Sequence, residues 1–117
     1  MANPQITYRG MPHSPAMDAK ILEHAAKLDD FNPRITHCHV VVMETDRHKS
    51  KGNLFEVHLD IHIPGHDIVA TQKANEDAYA AINEAFEVAA RQLEDVMRRQ
   101  RGEVKAHRDD RGDNPRP

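Results

Sequence analysis

Leu54 to Ile63 reads LFEVHLDIHI, ten residues in which apolar and polar side chains alternate almost without a break. A period of two places Phe55, Val57, Leu59, Ile61 and Ile63 on one side of an extended chain, and Glu56, His58, Asp60 and His62 on the other. Such a segment folds only as a strand whose apolar side is covered and whose polar side meets water. Ile35 to Thr45 (ITHCHVVVMET) is a second run rich in β-branched residues, parted from the first by the polar loop DRHKSKGN. Pro64-Gly65-His66 turns the chain, and Asp67 to Lys73 (DIVATQK) reads as a weaker strand. Near the N-terminus, Gln5 to Arg9 (QITYR) alternates and is broken by Gly10 and Pro12, which marks a short strand.

Two helices supply the cover. Ser14-Pro15 has the pairing of a capping hydroxyl with a proline at the first helical position. The helix it opens should run to Asp29 or Asp30 and end before Phe31-Asn32-Pro33, because a residue ahead of proline is driven toward extended geometry. Met17, Ile21, Ala25 and Leu28 form its apolar stripe, with Lys20, His24 and Lys27 aligned beside it. A second helix, capped by Asn75 and running to about Arg101, carries Tyr79, Ile82, Phe86, Ala89, Leu93 and Val96 at three- and four-residue steps, a stripe for the core. Glu76 and Asp77 favour the positive end of its dipole. The predicted order is βαβββα, an α+β domain with a four-stranded, antiparallel-rich sheet and both helices on one face, similar to the core of double-stranded-RNA-binding domains. Residues 1–101 form the domain, and 102–117, poor in apolar residues, form a disordered charged tail. The RGD tripeptide at Arg111 to Asp113 reads as chance, and no internal repeat is visible.

The chain's 117 residues suit one domain that folds without staples. Its 16 basic and 19 acidic residues leave a net charge of -3, so no global excess of positive charge advertises nucleic-acid binding. The distribution differs from the sum, since Arg98 to Pro117 holds seven basic residues against four acidic ones. Lone Cys38 forms no internal disulfide, and the N-terminus lacks the apolar run of a secretory signal, which points to the cytoplasm. No apolar stretch reaches the ~20 residues that span a bilayer. The absence of Trp and the few aromatic residues argue against a platform for stacking single-stranded bases.

Ala26-Lys27-Leu28, Arg34-Ile35, Tyr79-Ala80-Ala81-Ile82 and Arg91-Gln92-Leu93, in this order, resemble the ribosome hibernation promoting factor family, also called protein Y or ribosome-associated inhibitor. The likeness covers most of Gln5 to Arg101, and because the sequence stops at Pro117 it resembles the short-type members. It implies a small βαβββα domain lying in the decoding region of the small ribosomal subunit, where it occupies the space of messenger and transfer RNA and silences idle ribosomes without chemistry. The partners implied are the small subunit and its rRNA, with no membrane, cofactor or small-molecule substrate and with a monomeric chain. The sequence departs from the family pattern at His24, Asn83, Val88, Glu94, Asp95 and Met97.

RNA binding would rest on Lys20, Lys27, Arg34, Arg91, Arg98, Arg99, Arg101 and Lys105, long cations that could release counterions from phosphates along one surface. Arg91, Arg98 and Lys105 repeat every seven residues and stack as a ridge. Pattern alone reads these charges as a solvated face, because Glu94 and Asp95 stand four residues ahead of Arg98 and Arg99 in the orientation of intrahelical pairs. The family resemblance turns that reading toward RNA. The alternative is a metal-binding or protein-interaction module on the polar sheet face, where His37, His39, His58, Asp60 and His62, from a chain with nine histidines, would gather if their strands pair. Those imidazoles could also contact RNA when protonated. No nucleophile elbow or glycine-rich phosphate loop is present, and Cys38 alternates with Val40 and Val42 as a buried strand residue, so the chain is not read as an enzyme.

Overall fold

A computed structural model describes residues 3–45 and 54–109, with the backbone alone described for 73–75 and 103–109. The order is β1 (Gln5–Arg9), α1 (Pro15–Phe31), β2 (His37–Thr45), β3 (Leu54–Ile63), β4 (His66–Asn75) and α2 (Ala78–Asp109). The four strands form one mixed sheet in the order β1-β2-β3-β4, with β1 parallel to β2 and the other two pairings antiparallel. The βαβββα fold expected from the sequence is the one observed. The loop between β2 and β3 and the RGD tripeptide lie outside the described residues.

The core lies between one sheet face and the two helices. Val40 and Val42 of β2, Val57, Leu59 and Ile61 of β3, Ile21 of α1, and Ile82 and Leu93 of α2 are all fully buried in it. β4 is a full ten-residue strand from His66 to Asn75, longer than the weak segment the sequence suggests. Its apolar content is thin, but Ile68 and Ala70 pair with Ile61 and Leu59 and reach the core, so the neighbouring strand carries it. The register shifts between Phe55 and Val57, a bulge at the end where strand and helix α2 part. Because β4 runs in the direction of β1 and each helix returns against the strand before it, α1 and α2 lie side by side and parallel.

Ser14 caps α1 as expected, its hydroxyl accepting from the Met17 N–H at 3.2 Å, with Pro15 in the first turn. The helix runs one residue further than expected, to Phe31, and Asn32 closes it: its N–H donates to the Leu28 carbonyl, and its side-chain oxygen accepts from the Arg34 N–H at 2.9 Å. The buried Asn32 thus holds the turn into β2. At α2 three expectations change. Asn75 ends β4 and the cap is Asp77, whose carboxylate accepts from the N–H groups of Tyr79 and Ala80. Tyr79 is 40% exposed, because Ala78, Ala81 and Ala85 take the buried side of the first turns and bring the helix close to the sheet. The helical backbone also passes Arg101 and Gly102 and continues to Asp109. Residues 110–117 of the expected tail lie outside the described residues.

Candidate nucleic-acid interface

The parallel helices leave a groove of about 360 Å³ between their solvent faces. Its floor is Leu28, Phe86 and Ala90, with Phe31 at one side. Lys27 of α1 and Arg91 of α2 face each other across it, both exposed, and neither forms an ion pair among the described residues. Of the predicted cations among the described residues, these are the two that line the groove.

The other predicted cations divide. Lys20 is drawn to Glu23 at 3.3 Å, and Arg98 is held by Asp95 at 2.5 Å and by Glu94 at 3.7 Å, so both already have a local carboxylate. The intrahelical pairing foreseen for Arg98 therefore forms, whereas Arg99 makes no ion pair with Asp95 among the described residues. On an ideal helix Arg98 comes round to within about 20° of Arg91, and Arg99 and Arg101 fall roughly 80° to either side. Arg99 and Arg101 are exposed and flank the ridge. Arg34 is exposed in the turn that Asn32 fixes, just beyond the C-terminal end of α1. Lys105 lies on the helical backbone of α2, its side chain outside the described residues.

His24, read from sequence as one of a basic ridge, is instead half-buried against Phe86, the two rings stacked with centroids 5.0 Å apart and planes 14° from parallel. Its Nε2 is buried with no hydrogen-bond partner in the protein. Burial of the ring, and then the positive charges of Lys20 and Lys27, hold its pKa below the ordinary imidazole value. Glu87 and Glu94 also line the groove, Glu87 accepting from the Asn83 amide at 3.5 Å. The sequence marks Phe31 only as a helix stop and Phe86 only as core, and gives no sign of the part that they and Asn83 take in the groove beyond the seven-residue spacing of His24 and Phe31 on a helix face next to Lys27.

On the opposite sheet face the strands do bring the histidines into register: His37 lies opposite His62, and His39 opposite Asp60. The metal alternative is not favoured there. Among the described residues no group of three or more His, Cys, Asp or Glu is placed to hold a metal ion. The reason is that the imidazoles turn to separate partners: His39 Nε2 shares a hydrogen bond with Thr7 Oγ1 at 3.0 Å, His58 Nδ1 with Thr71 Oγ1 at 3.3 Å, and His62 Nδ1 with Asp67 Oδ1 at 2.5 Å. His37 meets His39 only edge to face, with centroids 6.4 Å apart. Cys38 points to the core as expected, and burial, with a smaller push from Asp60, raises its thiol pKa to about 11, so the thiolate needed of a nucleophile is suppressed. Among the described residues no helix is long and apolar enough to cross a membrane.

The fold is shared by a ribosomal subunit interface protein from Coxiella burnetii, with a TM-score of 0.68 and 18% identity over 80% of this chain and 94% of that one. The N-terminal domain of Protein Y from Thermus thermophilus superimposes with a TM-score of 0.61 at 17% identity, covering 80% of this chain and 96% of that domain. No curated protein was found to match the sequence. Residues 5–101, from the first strand well into α2, match the family model described as sigma 54 modulation protein / S30EA ribosomal protein. The match spans the residues on which the likeness to hibernation promoting factors was drawn, and the chain belongs to this family.

Proposed function

We propose that the protein is a non-enzymatic, cytoplasmic ribosome-associated factor that binds small-subunit rRNA in the decoding region as a monomer and silences or stabilises idle ribosomes. The observation that carries this reading is the meeting of Lys27 and Arg91 across the interhelical groove, exposed and free of carboxylate partners among the described residues, on a chain of this family. Arg34, Arg99 and Arg101 extend the positive surface beyond the groove, while Lys20 and Arg98 would first have to leave Glu23 and the Glu94–Asp95 pair. Cations of this kind bind folded RNA through phosphates, so affinity falls with salt.

Sedimentation tests the proposal. The protein should comigrate with small subunits in low-salt gradients of stationary-phase extract, and its presence only at the top of the gradient would refute the assignment. Lys27→Ala and Arg91→Ala should each weaken binding and flatten the slope of log affinity against log salt by about 1, the effect of one lost phosphate contact. Arg98→Ala should change the slope less, because its charge is already shared with two carboxylates.

A further inference from the structure

The groove between α1 and α2 combines three kinds of group that a surface selected only for phosphate would not need together. It has an aromatic and apolar lining, two cations, and hydrogen-bonding side chains, of which Asn83, Glu87 and Glu94 are exposed and His24 is half-buried. We infer that this groove receives one unstacked nucleotide of single-stranded RNA, the base entering against Phe31 and the His24–Phe86 stack while Lys27 and Arg91 take the phosphates on either side. The inference rests on the RNA-binding reading above and adds to it a base-accepting pocket.

The volume, about 360 Å³, lies within the ~300–1,000 Å³ of pockets that enclose small ligands. Phe31 is 45% exposed although it is one of only three phenylalanines, and it stands at the side of the groove. Exposing a ring of that size costs apolar burial, and a flat aromatic ligand restores it. Composition alone argued against a stacking platform, but the fold brings two of the three phenylalanines and an imidazole to one place.

Charge narrows the occupant. Glu87 and Glu94 lie among the same lining residues as Lys27 and Arg91, so a compact anion would meet repulsion as well as attraction. A nucleotide separates the two demands, because its phosphates are negative and the amino group of adenine, cytosine or guanine donates hydrogen bonds that a carboxylate accepts. Glu87 is held at the groove by the Asn83 amide, and His24 Nε2 is a buried polar atom that lacks a partner. Leaving that buried nitrogen unmatched carries a desolvation cost, which a base edge can relieve.

The experiment uses the full chain, isotopically labelled, with three short single-stranded RNAs of cytidine, adenosine or uridine, and a duplex RNA of equal length. The expected result is that the amino-bearing single strands move the NMR signals of the Phe31 and His24 rings and bind more tightly than uridine or duplex. Phe31→Ala should weaken that binding by roughly five- to a hundredfold, the loss of one stacked base, and Phe31→Tyr should restore it. Since Phe31 is exposed, its replacement leaves the core intact. Equal shifts with duplex RNA or inorganic phosphate would mean that only the cations act, and would overturn the inference. So would wild-type ring signals that single-stranded RNA leaves unmoved while small-subunit comigration survives Phe31→Ala unchanged, a result that leaves ribosome binding standing. Wild-type protein that fails to comigrate while its groove still responds to single-stranded RNA supports the pocket and removes the ribosomal assignment.

Discussion

His24 shows how a residue read as one of a charged row acquires another character on folding. Its spacing with Lys20 and Lys27 was legible, but the Phe86 ring that covers it comes from a helix more than fifty residues away, and no local pattern reports that contact. Burial and the two lysines lower its pKa in the folded state, outweighing the opposite pull of Glu23 and Glu87. The unfolded chain therefore binds more protons than the folded one as pH falls below the ordinary imidazole value of about 6.5, and stability is lost through that window toward the lower folded pKa. Urea titrations above and below that pH should show a smaller loss for His24→Gln than for the wild type. Gly10 is a second case. Sequence reads it as a strand breaker, but its φ of +72° and the Glu44 carbonyl oxygen, 2.6 Å from where a Cβ would stand, make glycine the residue that fits. Gly10→Ala meets both a left-handed conformation and backbone that cannot swing aside, and should cost about 1–3 kcal/mol, measured by chemical denaturation. Gly65, at φ +87° with nothing within 4 Å, should lose less on the same replacement.

At the scale of elements, the signals that served were those whose physics is local. Alternation in β3 predicted its inner face, which holds from Val57 to Ile63 while Phe55 is only half-buried, and the Ser14-Pro15 pair predicted the start of α1, which holds. The start of α2 was misplaced by two residues because Asn75, Glu76 and Asp77 are all plausible at a helix entrance, and the pairing of β4 with β3 as far as Phe55 keeps the chain extended through Asn75. The carboxylate of Asp77 then meets the free amides and the positive end of the dipole together. Asp77→Ala should lower stability by ~0.5–2 kcal/mol in equilibrium unfolding, and Asp77→Asn by less. The histidines of β2 and β3 illustrate the reverse limit. Which of them face one another followed from strand pairing, but whether their rings converge depends on rotamers chosen by Thr7, Thr71 and Asp67, side chains on other strands. The cations of α2 are similar: the ridge and the Glu94–Arg98 pair are legible from spacing, but Asp95, matched by spacing to Arg99, turns back to Arg98.

Over the whole molecule, the connection from β1 through α1 to β2 is the one that must close a long loop before its strands can pair in parallel, while β2, β3, β4 and α2 follow one another as neighbours. The five-residue β1 lies at the sheet's edge, bonded on one side only and tied to α1 by the Tyr8 hydroxyl, which donates to Asp18 at 2.7 Å and to the Ser14 carbonyl at 3.1 Å. This fold could be drawn from the order of elements in the sequence, but the groove could not, because it exists only where two parallel helices meet and its residues are scattered from His24 to Glu94. Beneath the helices sits the chain's single thiol, 3% exposed, one residue before the β2 ladder to β1 begins and opposite Ile61. It is a clock supplied with the molecule. A thiol sealed this way is alkylated only as often as the layers above it part, so the labelling rate of Cys38 counts those partings. If the β1–α1 flap lifts by itself, Tyr8→Phe will speed the labelling while leaving the midpoint of global unfolding almost unchanged. If the layers part only when the whole domain unfolds, rate and midpoint will move in step.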